Sequence, residues 1–530
     1  MNPKLTKFVF GVLVLAATIA TAAPVPAKEQ FTRVRVDAGV LQGIRSGTVT
    51  AFVGIPYAAP PVGDLRWRAP KPALSWTGVR KVDHFGASCQ QVIAPGNEGF
   101  GPWRHEYLPL GSVSEDCLFL NIWSPANLPA EKLPILFWIH GGAFIQGSAD
   151  VPIYDGAQLA AQGLVVVSIN YRLGLFGFLA HPQLTAEGSG NFGLRDQIAA
   201  LKWVHKNIGV FGGDPDRITI AGQSAGAASV HFLITSSPAK GLFHQAIAQS
   251  GTGMGLPVAT EAQAEEQGVQ FAAAASANSI ANLRAMSAAQ LTDVLQRVGG
   301  GQPMGAMWFA PYRDGTIVPA DPTAALSGST YNDSPLLTGL NNDELSGMDP
   351  QYAQRAPAEY SAALSKRYGS SAARFAELYS LDQAQTSEPA LSRDRGIASM
   401  LLWAEERRKT SRYPIFAYLF KHTEPGPNSE RFRTFHSSEI PYVFDTLDKS
   451  PERPFTPKDE AIAKTMGQYW IAYIKTGSPN AQGLARWPAL DSKNQVMMLG
   501  DQFAAGPAMD SQRMTSFRTY VREGGSLSLF

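Results

Sequence analysis

Short continuous runs of hydrophobic residues recur along the chain and are separated by stretches with helical spacing. Residues 133–139, 164–169 and 218–221 are such runs, rich in branched aliphatic side chains. Runs of this length are typical of strands that are buried on both faces of a mainly parallel sheet. Residues 191–207 instead place hydrophobic side chains at helical spacing. The alternation predicts an α/β fold with a mainly parallel central sheet flanked by helices.

Weaker versions of the same patterns fill the rest of the chain. Residues 260–298 and 350–412 are predicted to be mostly helical, including the alanine-rich stretch at residues 272–289. We expect helices of these two regions to form a lid or cap over one end of the sheet. Further strands are predicted at residues 33–40, 49–54, 118–123, 246–248, 336–338 and 414–420, and further helices at residues 225–234 and 458–475.

Residues 1–22 are predicted to be a secretory signal peptide. Two lysines precede a hydrophobic run at residues 8–20, and Ala-Thr-Ala at residues 20–22 fits a cleavage site. The run is short for a membrane span, and no other segment resembles one. We therefore expect secretion or a periplasmic location. Residues 23–530 are expected to form a single domain, since no linker divides them.

Composition narrows the classes of partner. Of the 530 residues, 45 are basic and 44 are acidic, so the formal net charge is +1. A nucleic-acid partner is not expected, because it would require a basic excess or a basic stripe. No histidine or cysteine cluster has the spacing of a metal site, and no cofactor is predicted. The only two cysteines, Cys89 and Cys117, are expected to form a disulfide in an oxidising compartment.

Residues 222–226 read Gly-Gln-Ser-Ala-Gly, which matches the Gly-x-Ser-x-Gly pattern of a nucleophile elbow. They follow the predicted strand at residues 218–221 and lead into the predicted helix at residues 225–234, which is the context that the pattern requires. The two glycines let strand and helix approach each other while the serine hydroxyl is held outward. Ser224 is therefore a candidate nucleophile.

A serine nucleophile needs a histidine base, and a carboxylate must orient that base. In α/β-hydrolases the three residues follow the order serine, acid, histidine. Asp343 and Glu344 both follow the predicted strand at residues 336–338, and they compete for the role of the acid. His422 and His436 are the histidines beyond them, and order alone favours His436 only slightly.

An oxyanion hole needs backbone N–H groups from the residue after the nucleophile, here Ala225, and from a glycine-rich turn after an earlier strand. Residues 140–144 read His-Gly-Gly-Ala-Phe and follow the predicted strand at residues 133–139. Turn, elbow, acid and histidine thus occur in the order that an α/β-hydrolase requires.

Several further motifs occur in register with the elbow. They are Phe-Val-Gly-Ile-Pro-Tyr-Ala at residues 52–58, Pro-Pro-Val-Gly at 60–63, Ser-Glu-Asp-Cys-Leu at 114–118, Gly-Asn-Phe-Gly-Leu at 190–194 and Phe-Gly-Gly-Asp-Pro at 211–215. With these motifs the chain resembles the type-B carboxylesterase and cholinesterase family over most of its length. The resemblance implies the α/β-hydrolase fold and the hydrolysis of carboxylic esters.

The resemblance also implies roles for individual residues. It implies that Glu344 is the acid and His436 the base. The other implied features are an oxyanion hole of Gly142, Ala143 and Ala225, a disulfide between Cys89 and Cys117, and ion pairs that join Arg66 to Glu115 and Arg172 to Asp196.

Two positions depart from the pattern of the family. Gln223 stands where a glutamate usually precedes the serine, so a charge near the site is absent. Ala143 replaces a glycine of the cholinesterases; it keeps the N–H, but its methyl group narrows the space for bulky substrates. By resemblance, Trp308 and Phe309 belong to the acyl-pocket segment and Trp103 to the loop between the cysteines. These aromatic residues are candidates for an apolar substrate pocket, or else ordinary core and rim residues.

The sequence therefore predicts a secreted serine carboxylesterase that hydrolyses a small-molecule ester through an acyl-enzyme on Ser224. A lipase or an acyl transferase on the same scaffold is the nearest alternative. A non-catalytic binding protein is a more distant one, because relatives with that role lack the serine, whereas this chain carries serine, acid and histidine.

Overall fold

The computed structural model describes residues 31–92, 101–186, 190–251, 253, 258–299, 309–326, 328, 331–491 and 493–529. The predicted signal peptide and Trp308 lie outside these residues. In the described part of the chain, no helix has both the length and the hydrophobicity needed to cross a membrane.

Strands and helices alternate along the described residues. The strands are β1 (Arg33–Val36), β2 (Gly39–Gln42), β3 (Ile44–Ser46), β4 (Val49–Pro56), β5 (Val79–Lys81), β6 (Ser88–Cys89), β7 (Val113–Ser114), β8 (Phe119–Ser124), β9 (Leu133–Ile139), β10 (Val165–Ile169), β11 (Gly213–Gln223), β12 (Gln245–Gln249), β13 (Ala259–Thr260), β14 (Tyr312–Arg313), β15 (Leu336–Asn341), β16 (Ile415–Phe420), β17 (Gln495–Leu499) and β18 (Ala504–Pro507). The helices are α1 (Ala157–Ala161), α2 (Gly174–Phe178), α3 (Pro182–Thr185), α4 (Phe192–Asn207), α5 (Ala225–Thr235), α6 (Glu261–Ala274), α7 (Ile280–Ala285), α8 (Ala288–Val298), α9 (Pro322–Ala325), α10 (Pro357–Tyr368), α11 (Ala372–Leu378), α12 (Ala384–Arg408), α13 (Ser429–Phe432), α14 (Ile440–Phe444), α15 (Pro457–Thr476) and α16 (Ser511–Arg522).

A sheet of eleven strands runs through the described structure, in the order β18-β17-β16-β15-β12-β11-β9-β10-β8-β4-β3. The strands from β17 to β10 pair in parallel. The strands at the two edges pair antiparallel. The predicted α/β-hydrolase fold, with its mainly parallel central sheet, is confirmed.

The alternation of side chains along the middle strands divides the hydrophobic core into two layers, one on each face of the sheet. In β9, Ile135, Phe137 and Ile139 belong to one layer, and Leu136 and Trp138 belong to the other. Helices α4, α5 and α12 cover the first layer, and α1, α14 and α15 cover the second. Burial on both faces explains why the strand is hydrophobic at every position.

The alanine-rich stretch at residues 272–289, predicted to be helical, is divided among three helices. Helix α6 ends at Ala274, and α7 and α8 are separate helices. Ser279 and Ser287 have extended backbones, and each side chain accepts a hydrogen bond from the N–H three residues later. A serine at such an N-cap begins a new helix. The alanines on either side of it therefore do not form one continuous helix, although their helix propensity is high.

Arg66 and Arg172 form the two ion pairs that the resemblance implied. Arg66 binds Glu115 through hydrogen bonds of 2.6 and 2.5 Å, and its Nη1 donates to main-chain carbonyls at the end of α7. Arg172 binds Asp196 through two hydrogen bonds of 2.7 Å. The implied disulfide between Cys89 and Cys117 is also present. These bonds tie the connecting segments to the body of the fold.

Candidate active site

Ser224 lies at the junction of β11 and α5, at the carboxyl edge of the sheet. Its φ of 58° and ψ of −122° are rarely adopted by residues with a side chain. A Cβ on Gly222 would come within 2.5 Å of the main chain of Gly226, and a Cβ on Gly226 would clash with the carbonyl oxygen of Ile139. Both glycines are therefore needed for the close approach of β9, β11 and α5. Ser224 is partly exposed between buried neighbours, as a nucleophile must be to reach a substrate.

His436 and Glu344 are in direct contact, although 92 positions separate them in the sequence. His436 Nδ1 lies 2.5 Å from Glu344 Oε2, and both side chains are buried. The other carboxylate oxygen accepts a hydrogen bond of 2.8 Å from the backbone N–H of Asn341. Since a carboxylate accepts, Nδ1 carries the proton of the neutral ring and Nε2 presents a lone pair.

The two alternatives that sequence order left open lie elsewhere. His422 is held between Asp459 and Asp501, at 2.8 and 2.6 Å. Asp343 accepts hydrogen bonds from the Tyr352 hydroxyl, at 3.1 Å, and from the side chain of Asn342. The geometry therefore pairs Glu344 with His436, as the family resemblance implied.

Gln223 connects the histidine to the elbow. Its Nε2 lies 3.0 Å from His436 Nε2, which is the ring nitrogen that faces away from Glu344. Gln223 directly precedes Ser224, so the contact brings the lone pair of His436 to the turn that carries the serine. A base with its lone pair directed at a serine elbow is the arrangement needed to remove a hydroxyl proton.

The glycine-rich turn after β9 packs against the elbow. A Cβ on Gly141 would come within 3.0 Å of Ser224 Cβ. Gly142, Ala143 and Phe144 follow with positive φ angles of 100°, 54° and 63°. A Cβ on Gly142 would clash with the carbonyl oxygen of Gln146, so only glycine fits there. The turn thus stays beside the serine, where its N–H groups could serve as an oxyanion hole.

His140 supports the first half of this turn as a neutral ring. Burial lowers the pKa of His140 to about 4. Its Nδ1 lies 2.8 Å from the Gly141 carbonyl oxygen and therefore carries the donated proton. The ring stacks on Tyr171, whose hydroxyl donates a hydrogen bond of 3.0 Å to the His140 carbonyl oxygen.

A second buried carboxylate, Glu439, lies next to the pair, and sequence reasoning assigned it no role. It accepts hydrogen bonds from Gln249 at 3.1 Å and from Asn341 at 2.7 Å. Asn341 also donates to the Phe435 carbonyl oxygen at 2.7 Å. Burial raises the pKa of Glu439, and the nearby Glu344 raises it further. The signal that could have found this network is the polar residue at the end of each buried strand, Gln249 in β12 and Asn341 in β15.

The aromatic residues proposed for the substrate pocket have different surroundings. Trp103 is half-buried, and its ring packs edge-to-face against Phe435. Its Nε1–H donates a hydrogen bond of 3.0 Å to the His436 carbonyl oxygen. Phe309 is buried and packs against Phe271 of α6. Trp308 lies outside the described residues. The described contacts therefore bring Trp103 to the histidine and Phe309 to the core, and the pocket remains a prediction.

No group of three or more histidine, cysteine, aspartate or glutamate side chains among the described residues is arranged to hold a metal ion. Serine, histidine, glutamate and a glycine-rich turn together suit acyl transfer from an ester or a related acyl compound.

Comparison with known proteins narrows this chemistry to esters. The model of the carboxylesterase family matches residues 30–517. The chain belongs to this family. The carboxylesterase is 35% identical to the fumonisin B1 esterase of Sphingopyxis macrogoltabida, over 92% of its own chain and 91% of the relative. It is 33% identical to the para-nitrobenzyl esterase of Bacillus subtilis, over 87% and 93% of the two chains. It is 32% identical to human cocaine esterase, over 89% and 87%.

Solved structures of PNB esterase share the fold of this carboxylesterase. Two of them superpose with TM-scores of 0.79 and 0.77, at 31% and 32% identity. Both alignments cover 92% of this chain and at least 99% of the solved one. The carboxylesterase is thus a carboxylic ester hydrolase with an α/β-hydrolase fold along nearly its whole length.

Proposed function

We propose that this carboxylesterase cleaves its substrate through an acyl-enzyme on Ser224. Ser224 Oγ attacks the ester carbonyl carbon while His436 Nε2 takes the hydroxyl proton. Glu344 keeps the Nδ1 proton and stabilises the imidazolium. The bond to the alcohol oxygen then breaks, and His436 donates its proton to the departing alcohol. A water molecule, activated by the same base, attacks the acyl-enzyme and releases the acid.

The negative charge that develops on the carbonyl oxygen is proposed to be bound by the N–H groups of Gly142, Ala143 and Ala225. Ala225 is the first residue of α5, so its N–H lacks a partner within the helix. The positive end of the helix dipole adds to this stabilisation. Each such donor contributes about 3 kcal/mol to catalysis in well-studied hydrolases.

One observation carries the proposal: a continuous line of contacts from Glu344 through His436 to the residue before Ser224. The carboxylate defines which ring nitrogen is protonated. The other nitrogen accepts from the Gln223 amide in this structure, and it is the base once the serine hydroxyl replaces that donor. The competing residues Asp343 and His422 are engaged with other partners. The arrangement needs no group beyond those that the chain itself supplies.

The test uses matched pairs of variants on a short activated ester. Ser224→Ala and His436→Gln should each lower kcat by about 10⁴-fold or more, and Glu344→Gln by somewhat less. Asp343→Asn and His422→Gln are the controls and should keep most of the activity. An organophosphate should form its covalent adduct on the peptide that contains Ser224. Loss of turnover in His422→Gln but not in His436→Gln would contradict the assignment.

The substrate is proposed to be a small-molecule ester. The relatives are named for different compounds, fumonisin B1, para-nitrobenzyl esters and cocaine. This spread supports the class of reaction and selects no single substrate. A panel that varies the acyl chain and the alcohol separately would define the preference. Activity only on emulsified long-chain triglyceride would indicate a lipase, and transfer to added alcohols at the expense of acid release would indicate an acyl transferase.

We also propose that the carboxylesterase acts outside the cytoplasm, in the periplasm or the medium. Support comes from the predicted signal peptide and from the disulfide, since disulfides persist in oxidising compartments. The disulfide closes the loop that carries Trp103, and that loop reaches the histidine of the proposed site.

A further inference from the structure

Two loops meet beside the proposed base. The first, which we call the stapled loop, comprises residues 89–117 between the disulfide-bonded cysteines. The second, the histidine loop, comprises residues 421–439 between β16 and α14 and contains His436. Within the described residues, the contacts between the two loops include direct hydrogen bonds from Trp103 and Tyr107 and a buried charged cluster around Arg453.

Trp103 binds the main chain of the histidine itself. Its indole N–H donates to the His436 carbonyl oxygen at 3.0 Å, and its ring meets the Phe435 ring edge-on at 6.0 Å. The preceding carbonyl, that of Phe435, accepts from Asn341. The peptide groups on both sides of the His436 α-carbon are thus held by side chains from other parts of the chain.

External support matters here because the local backbone is strained. Ser437, directly after His436, has a φ of 80°, and Arg433 has a φ of 52°. Residues with a side chain adopt such angles only where surrounding contacts hold them. Glu344 and Gln223 hold the two nitrogens of the imidazole ring, but they do not hold the peptide that carries it.

Arg453 supports both loops at once. Its guanidinium donates to the Pro102 carbonyl at 2.7 Å, next to Trp103, and to the Pro425 carbonyl at 3.2 Å, in the histidine loop. It also binds one carboxylate from each loop, Glu106 at 2.7 Å and Glu424 at 3.2 Å. A planar guanidinium suits this bridging better than an ammonium group, since its N–H groups point in fixed directions.

Aromatic rings complete the cluster. The guanidinium lies 5.7 Å from the ring centre of Tyr107 and 5.9 Å from that of Phe435, the residue before His436. The Tyr107 hydroxyl donates to Glu424 at 2.8 Å. Burial raises the pKa of Glu424 to about 8, although the positive charge of Arg453 opposes the rise.

We propose that Trp103 and Arg453 are positioning residues for ester hydrolysis: Arg453 fastens the stapled loop to the histidine loop, and Trp103 fixes the peptide of His436 so that Nε2 stays at the serine elbow. The inference rests on the proposed role of His436 and gives the stapled loop a part in catalysis. It differs from the prediction that Trp103 lines the substrate pocket, since a pocket residue would act on substrate binding.

The decisive variant is Trp103→Phe, which keeps an aromatic ring beside Phe435 but removes the N–H donor together with one ring of the indole, whose Cη2 packs beside Gly347. Its matched control is Trp76→Phe. Trp76 is also half-buried and donates from Nε1 to a backbone carbonyl, that of Val40, at 3.0 Å in the β1–β2 hairpin. Both variants lose the same kind of hydrogen bond, but only the first is next to the base.

We expect Trp103→Phe to lower kcat about tenfold and to leave KM within about twofold, because a slightly misplaced base slows chemistry more than binding. Trp76→Phe should leave both constants unchanged. Labelling with an organophosphate separates a misplaced base from misfolded protein. In Trp103→Phe the rate constant of labelling should fall. The fraction of molecules finally labelled at Ser224, which reports correctly folded protein, should equal that of the wild type.

Other outcomes overturn the inference. A rise in KM at unchanged kcat would place Trp103 in the substrate pocket. Equal effects of Trp103→Phe and Trp76→Phe would show that Trp103 has no particular role in positioning His436. A lower labelled fraction at an unchanged labelling rate would make the bond purely structural. In all three cases Ser224 is still labelled, whereas labelling of another serine would contradict the proposed function itself. Arg453→Lys should slow labelling in the same way as Trp103→Phe.

Discussion

Gln223 stands directly before Ser224, and its amide nitrogen lies 3.0 Å from His436 Nε2. Because Nδ1 donates its proton to Glu344, the neutral ring has its lone pair at Nε2, and the amide N–H donates to it. A hydrogen bond to the neutral form of a base opposes its protonation. The glutamate usual at this position in the family would instead stabilise the imidazolium.

The variant Gln223→Glu should move the acidic limb of the pH profile of kcat/KM to higher pH by about one pH unit, because a carboxylate within hydrogen-bonding distance favours the protonated ring. Activity below that limb is lost, since the base must be neutral to accept the serine proton. Gln223→Leu removes the donor without adding charge and should move the limb much less. If the profiles of Gln223→Glu and the wild type coincide, the amide has no influence on the base in the free enzyme.

At the scale of elements, the site depends on how closely β9, β11 and α5 approach one another. Gly226 in the first turn of α5 leaves room for the carbonyl oxygen of Ile139 at the end of β9. The glycine-rich turn starts at the next residue, so the same contact sets the distance between that turn and the serine. A side chain at position 226 would force the two elements apart.

We expect Gly226→Ala to lower the free energy of unfolding by about 1 to 3 kcal/mol, the usual cost of overpacking, and to reduce kcat by displacing the turn from the elbow. Gly209→Ala is the control, because a Cβ there meets nothing within 4 Å. Urea unfolding and kcat of the two variants test the expectation. Equal stability and activity of both variants would show that the contact with Ile139 does not determine the geometry.

Hydrophobic patterns predicted the middle strands well and their ends less well. The run at residues 218–221 became part of β11, but the strand begins at Gly213, which pairs with Leu133 of β9 ahead of a break in the register and of four residues that are not buried. Side-chain patterns do not record such pairing. The order of motifs likewise made Ser224 the candidate nucleophile, but it could not choose between Asp343 and Glu344 as the candidate acid. That choice depends on which carboxylate the distant histidine loop reaches.

Contacts between distant loops were beyond prediction from the residues alone. Trp103 and His436 are 333 positions apart, and their hydrogen bond joins an indole to a backbone carbonyl, which any residue could supply. Arg453 and Glu106 are separated by 347 positions. No periodicity or motif links such pairs. Their positions follow only from packing around the sheet, which brings the stapled loop and the histidine loop to the same edge.

At the scale of the whole molecule, the disulfide covalently restrains the stapled loop, which packs against the histidine loop. It closes a segment of 28 positions, and the described part of that segment includes Trp103, Glu106 and Tyr107. Closing a loop of this length removes conformational entropy from the unfolded chain, worth about 3 to 4 kcal/mol in the chain-entropy model. Removing the disulfide should therefore lower the free energy of unfolding and weaken the support of His436.

When the full chain is produced in a bacterium with an export pathway, the intact mass of the exported protein should correspond to a chain without residues 1–22. That mass should also be lower than the mass of the fully reduced protein by two hydrogen atoms, because of the disulfide. The double variant with Cys89→Ser and Cys117→Ser should lose about 3 to 4 kcal/mol of unfolding free energy. Its rate constant for organophosphate labelling should also fall, because the free loop holds the peptide of His436 less firmly through Trp103. Exported protein that retains Met1 would contradict the signal peptide. Unchanged labelling in a destabilised double variant would confine the disulfide to a structural role and detach the stapled loop from catalysis.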